Sequence, residues 1–481
     1  MKQYETDVLV IGGGPAGSTV ATILAQNGIR TNVLERDTFP RYHIGESLLA
    51  SLMPMIDIIG AGEKIKAHGF VEKPGGYFNW GNEKWSFRFD EVEGAPTHSY
   101  QVKRSEFDEL LLDHAGETGA SVHQNVKVTK INFEDGRAVS ADFHDRTKDS
   151  KGTIRFKYLV DCSGRSGVMA TEYTRSRQFH EAFKNVAIWS YWTGCDLNYD
   201  DLPEGSTRII SIEAGWIWFI PLHDGTVSVG IVLRHDHLRK ERAAGRSNEE
   251  IYDRTLAEHP EAQIILANAT RREVRMETDY SYTSDRFSGP GYFMCGDAAC
   301  FLDPLLSSGV HLAMVSSLIA GACIASVLKG EVAEDRAVNF FETSYRQAYL
   351  RFLMLVSSFY DLGRGQDGYF WEAQRLTSKD YADGDMKKAF VSIVSGGADF
   401  DDVRDGQYGE VVAKKVSEKL RLGVDMRRGA AEVGEETRQQ TMEFMDALNG
   451  LTFLQKTAAI DGLYVATSPE VVLKETADAH V

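Results

Sequence analysis

No pair of cysteines in this chain has CxxC spacing. Cys162, Cys195, Cys295, Cys300 and Cys323 are scattered without a CxxC, which suggests neither a zinc knuckle nor a disulfide frame. Buried free thiols in a reducing compartment are the expectation. An excess of positive charge is also lacking, with 53 Lys and Arg against 70 Asp and Glu. The resulting charge of −17 repels phosphate backbones and anionic lipid, which argues against nucleic-acid and membrane-surface partners. There is no low-complexity tract and no internal repeat. A strand at Asp7–Ile11 leaves no room before it for a secretory leader, so a cytoplasmic location is expected. One apolar run, Gly309–Leu328, has the length of a membrane span. It contains His311, Ser316 and Ser317, and the pattern predicts a buried helix instead.

With 481 residues the chain exceeds one hydrophobic core, so two or three packed units are expected. Asp7–Ile11 is continuously apolar, as a strand covered on both faces should be. A small-residue helix over Ala16–Asn27, stopped by Gly28, and a second strand at Thr31–Leu34 follow. Residues 75–100 alternate aromatic and polar positions, which predicts antiparallel strands. Glu106–Gly116 reads as a helix, and Val122–Ile131, Val139–Phe143 and Ile154–Val160 as strands. Further strands are predicted at Arg208–Ile212, Trp216–Pro221 and Val227–Val232, then helix over 240–266. Beyond about 330 the pattern is helical and charged. The expected architecture is α/β. A discontinuous Rossmann-type domain takes 1–73, 101–180 and 285–330, an inserted antiparallel sheet takes 74–100 and 181–284, and a helical region takes 331–481.

Gly12-x-Gly14-x-x-Gly17 joins the first strand to the helix, and Glu35 ends the next strand. Gly12 makes the tight turn, Gly14 lets backbone approach a pyrophosphate, and Gly17 lets helix and strand pack. The pyrophosphate then sits on the helix N-terminus and Glu35 accepts the ribose hydroxyls. A glycine triplet alone is weak, but here strand, helix and acid are all in place. Gly363-x-Gly365-x-x-Gly368 has the same spacing but follows a helical run, so it is rejected. That leaves no second dinucleotide site for NAD(P)H.

Gly296-Asp297-Ala298-Ala299, after an apolar strand, resembles the second flavin signature of the hydroxylase-type FAD proteins. Asp161-Cys-Ser-Gly164-Arg-Ser-Gly167 resembles their central motif, and Arg104, in Gln-Val-x-Arg-x-x-Phe-Asp, their arginine near the flavin. Gly215-Trp-Ile-Trp-Phe-Ile-Pro221 places Trp216 and Trp218 on one face of a strand. Alone, such a pair would be read as filling a sheet core. Together with Phe301-x-x-Pro304-x-x-Ser307-x-Gly309 it resembles the signatures of the flavin-dependent halogenases. The resemblance extends over most of 1–330, including Phe39-Pro-Arg-Tyr-His-Ile-Gly-Glu-Ser47 and Gly69-Phe-Val-Glu-Lys-Pro-Gly-Gly76, and into Tyr369-Phe-Trp371.

The resemblance implies FAD, used as FADH2 from a separate flavin reductase, with oxygen and chloride or bromide yielding hypohalous acid. It assigns cofactor contacts to Gly12, Gly14, Ala16, Gly17, Glu35, Arg36, Arg41, Ser47, Arg104, Val126, Asp297 and Gly309. It places halide at Ser308 and Gly309, and gives Trp216 and Trp218 the task of shielding the flavin. Lys73 falls on the catalytic lysine, which Ser307 would orient. A lone lysine near a turn is ordinarily a solvated charge; the surrounding motifs favour the functional reading. It would act as a neutral amine accepting halogen or as an ammonium polarising the acid. Tryptophan halogenases carry a glutamate just before the motif serine, whereas this chain has Leu306. That departure makes an unactivated indole a poor candidate and points to a phenol or pyrrole, which activates itself, and the segment Lys73–Trp80 resembles the branch acting on phenolic groups tethered to a carrier protein. Carrier proteins are acidic, so docking would need a local basic patch such as Arg239, Lys240, Arg242 and Arg246, or Arg427 and Arg428. The alternative reading is a flavin-dependent aromatic monooxygenase.

Overall fold

The computed structural model describes residues 2–80, 83–91, 96–197, 202–364, 454 and 459–476. At its centre is a six-stranded sheet. Its order is Ser288–Gly289, Tyr292–Met294, Tyr158–Asp161, Val8–Ile11, Thr31–Leu34 and Ser121–His123. All pairings are parallel except the first. Val8, Leu9 and Val10 are wholly buried, which explains their unbroken apolar run. Pro15 opens the helix Pro15–Gln26 after an extended Gly14, where its fixed φ and missing N–H suit the first turn. This helix packs between Arg104–Thr118 and Ser308–Leu328. The long apolar helix Ser308–Leu328 is almost wholly buried inside the fold, His311, Ser316 and Ser317 included, as its embedded serines and histidine predict.

Two predicted strands are each divided. Asn125 has φ 59°, a left-handed turn that Asn tolerates. It separates Ser121–His123 in the central sheet from Val126–Glu134. Likewise 154–160 becomes Ser150–Arg155 and Tyr158–Asp161. The outer halves build a four-stranded sheet with Lys2–Glu5 and Arg137–Asp145.

Residues 75–88 and 177–284 share an eight-stranded sheet. Gly75–Trp80 runs parallel to Thr207–Ile212, and Gly215–Pro221 lies between that strand and Val227–Arg234. Alternation along Gly215–Pro221 decides the layers. Trp216, Trp218 and Ile220 face the main core, whereas Ile217 and Phe219 face a second cluster. That cluster includes Leu238, Ile251 and Ile265 from the helices His235–Ala243, Asn248–Ala257 and Pro260–Leu266.

The region expected to be helical over 331–481 needs correction. Glu334–Arg364 is a helix, but Leu463–Ala466 and Val472–Glu475 form an antiparallel hairpin. Its strands hold four residues each, too few to register as periodicity. The hairpin docks through Leu473 N–H on Ser326 Oγ (2.8 Å). Gly363 lies within the Glu334–Arg364 helix, so no strand precedes the rejected triplet. Gly365, Gly368, Tyr369-Phe-Trp371, Arg427 and Arg428 lie outside the described residues.

Candidate active site

The three glycines of the first motif have different surroundings. Gly12 has φ 97°, and a Cβ there would overlap the Cys162 carbonyl; one on Gly17 would overlap the Gly12 carbonyl. Both are packing glycines. A Cβ on Gly14 would meet only the Arg41 guanidinium, at 3.1 Å, so Gly14 faces an open cradle under a cation. Glu35, buried at the end of its strand, accepts from Gly13 N–H (2.7 Å) and Asp37 N–H (2.8 Å). Arg104 binds buried Asp108 through two bonds, 2.7 and 3.1 Å, and Arg41 reaches the same carboxylate at 3.4 Å. Two guanidiniums on one carboxylate leave net positive charge beside the helix N-terminus, a donor set suited to a pyrophosphate.

The second motif meets the first in space. Gly296 has φ 58°, and a Cβ there would lie 3.6 Å from Ala16. Burial pushes the Asp297 carboxyl up, and among the described residues nothing donates to it. Asp161 instead is occupied, accepting from Ser163 N–H (3.0 Å) and Met169 N–H (2.7 Å). Val126 is buried and donates its amide to the Glu35 carbonyl (2.8 Å). Arg36 is exposed and donates to Ser166 (2.9 Å). Ser307, at φ 57°, turns the chain into Ser308–Leu328. At that N-terminus the buried Ser308 Oγ has no hydrogen-bond partner among the described residues, and beyond its chain neighbours and its own helix turn nothing described lies within 4 Å of a Cβ placed on Gly309. Open glycine cradle, free carboxylate, paired arginines and acidic strand end together fit FAD. Gly14, Glu35, Arg41, Arg104 and Asp297 would hold it.

Lys73 ends the strand Val71–Lys73, which pairs with Ser99–Gln101, and is only 4% exposed. Its Nζ donates to Ser47 Oγ (2.8 Å) and the Leu48 carbonyl (3.0 Å). Burial lowers its pKa to about 7, because desolvation penalises the charged form. Ser47 is thus a partner of the lysine, although sequence assigned it to the cofactor. Its hydroxyl also meets Thr207 Oγ1 (3.1 Å), to which Gln101 donates (2.7 Å). The expectation that Ser307 orients Lys73 is corrected by this geometry. A β-bridge between Ser47 and Gln101 brings Ser47, not Ser307, to the lysine strand. Glu46 was missed altogether. It is buried, accepts from Tyr191 Oη (2.6 Å), and burial raises its pKa to about 7. The only signal was its place in Gly45-Glu46-Ser47.

Trp216 and Trp218 lie with ring centroids 5.7 Å apart. Trp218 donates to Ser228 Oγ (3.1 Å) and Trp216 to Tyr360 Oη (3.0 Å). Tyr360 in turn donates to Asp303 (2.7 Å), which also accepts from Asn185 (2.8 Å). A Cβ on Gly230 would overlap the Trp218 indole. Gly230→Ala should therefore cost about 1–3 kcal/mol through overpacking. Urea denaturation monitored by tryptophan fluorescence measures it, and unchanged stability would mean the indole can shift freely.

Residues 5–345 match the family model described as FAD binding domain. The chain is 40% identical to a tryptophan 2-halogenase of Chondromyces crocatus, over 98% of this chain and 96% of that protein. Its fold superposes on the flavin-dependent halogenase CmlS with a TM-score of 0.71 at 34% identity, covering 87% of this chain and 78% of the other. It superposes on the myxobacterial chondrochloren halogenase CndH, a variant of FAD-dependent halogenases, with a TM-score of 0.70 at 31% identity. That match covers 93% of this chain and 98% of the other.

Proposed function

We propose, from the premise that this chain belongs to the flavin-dependent halogenases, that it halogenates an electron-rich aromatic ring through Lys73. The observation that carries this is the buried amine held by Ser47 and Leu48, with a pKa of about 7. Bound as FADH2, the cofactor supplies the means to convert oxygen and chloride or bromide into hypohalous acid. The N-terminus of Ser308–Leu328, with Ser308 and Gly309, offers positive dipole and an unpaired hydroxyl to a halide. Trp216 and Trp218, buried side by side on their strand, would keep the organic ring from the flavin. At Lys73 the neutral amine takes halogen from the acid, its N–H proton leaving in water, and passes the halogen to the ring carbon, whose displaced proton restores the amine N–H. Ser47 fixes the direction of the nitrogen lone pair.

Leu306, partly buried beside Ser307, supplies no carboxylate, so the ring must activate itself. A phenol does so through oxygen. The nitrogen of an indole activates C3 most strongly, and where C3 carries a side chain, as in tryptophan, the adjacent C2 is open to substitution, the position that the name of the Chondromyces relative specifies; that relative brings back the indole which Leu306 alone would set aside. We therefore infer a free phenol or the pyrrole edge of an indole as substrate. A carrier-bound ring has less support, because the relatives described above name no carrier. Arg239, Lys240 and Arg242 sit on an exposed helix, and Arg246 is paired with Glu241. The free, mostly buried thiols suit a cytoplasmic setting.

The test combines purified enzyme, a separate flavin reductase, NADH, oxygen and chloride or bromide with tryptophan, simple phenols and carrier-bound phenols. Mass spectrometry should show halogenated free ring, only with reductase present. Hydroxylated ring alone in saturating halide would replace this reading by the monooxygenase one.

A further inference from the structure

We propose that His68, Glu106 and His223 form a binding site for one divalent transition-metal ion of the zinc class, made of residues distinct from those that would hold the flavin and from Lys73 and its partners. His68 comes from the last turn of the helix Gly62–His68, Glu106 from the first turn of Arg104–Thr118, and His223 from the turn after Gly215–Pro221. The Nε2 atoms of both imidazoles point at one oxygen, Glu106 Oε2, at 2.8 and 3.0 Å. The three donor atoms lie within 4.8 Å of one another. Zinc bonds of about 2.0–2.2 Å place tetrahedral donors roughly 3.3 Å apart, so little movement is needed to admit an ion. Two imidazoles and one carboxylate are a donor set that zinc accepts, with the fourth position left to water.

The rings are held before any ion arrives. Buried Phe70 stacks on His68 at 4.2 Å and lies perpendicular to His223 at 5.4 Å and 88°. Ring packing supplies this orientation, since His223 Nδ1 is buried with no hydrogen-bond partner among the described residues. Lys103 sets the affinity from the other side. Its ammonium lies 3.3 Å from Glu106 Oε1 and 3.1 Å from Asp224, steadying the carboxylate but opposing an incoming cation. A bound ion would join the two domains at the base of the strand that presents Lys73, since Phe70 and Val71 lead directly from His68 to it. The site rests on this geometry and not on the halogenase reading.

The experiment uses the full-length, flavin-loaded enzyme after chelator treatment, titrated with zinc chloride by calorimetry and followed by thermal unfolding. One zinc per chain should bind, and Tm should rise by a few degrees through ligation to the folded state. His68→Ala, which alters a partly exposed side chain, should weaken binding by at least ~10-fold and remove the Tm rise. Lys103→Met should tighten binding several-fold, an outcome that misfolding cannot imitate. Absence of stoichiometric binding at about 100 times a micromolar Kd, or binding unchanged by His68→Ala and Glu106→Gln, overturns the proposal.

Discussion

Lys73→Ala should lower halogenation by at least ~10³-fold while FAD binding and flavin reoxidation continue. The loss falls on turnover because the amine is used in the transition state, whereas its partners among the described residues are Ser47 and Leu48 and not the glycine turn. Lys73→Arg should not rescue, since a guanidinium stays charged and cannot carry halogen on a neutral nitrogen. Product is followed by mass spectrometry and flavin by absorbance. Near wild-type yield in Lys73→Ala would remove the lysine from the mechanism. Because the neutral amine is the working form, the rate should rise with pH through about 7. Glu46 titrates in the same window, so the limb should persist in Glu46→Gln.

The lysine also leaves a stability signature of determinate sign. Its pKa is about 7 in the fold against an ordinary 10.5, so between those values the unfolded chain holds the additional proton. Stability then rises with pH across that window, and below pH 7 the protonated buried amine exerts its full cost. Lys73→Met should accordingly be the more stable protein at pH 7, by an advantage that closes towards pH 10.5.

Gly14→Val should yield folded protein that has lost FAD. The new side chain displaces only the end of Arg41 but fills the space a pyrophosphate requires. Gly17→Val differs in kind, because its Cβ would overlap the Gly12 carbonyl, so misfolding is expected. Flavin content per chain and circular dichroism separate the two effects. Full flavin occupancy in Gly14→Val would move the cofactor elsewhere.

Local chemistry was legible in sequence wherever neighbours along the chain specify one another. The strand, glycine turn, helix and acid from Asp7 to Glu35 are such a case. So are the alternating tryptophans, whose two-residue period fixes a common face. What escaped depends on contacts between distant segments. Ser47 reaches Lys73 only through its bridge to Gln101, and Glu46 is buried by a sheet more than a hundred residues further on. Lys2–Glu5 is exposed at every position, so it offers no apolar pattern. The strand Arg177–Thr193 is interrupted between Phe179 and Lys184, which breaks its alternation.

The neighbours of Tyr158–Asp161 in the central sheet are Val8–Ile11 on one side and Tyr292–Met294 on the other. Ala16 in turn meets Gly296 across the two flavin motifs. A nascent chain therefore cannot complete its cofactor cradle during most of its synthesis, however early the glycine turn emerges. Such a topology places loop closure ahead of its reward and makes folding slow. Flavin should consequently capture the chain late, acting as a lock on a finished domain and not as a template for the first strands. Ribosome-stalled chains ending before Gly296 should fail to retain FAD, even though every residue of the first motif is already present.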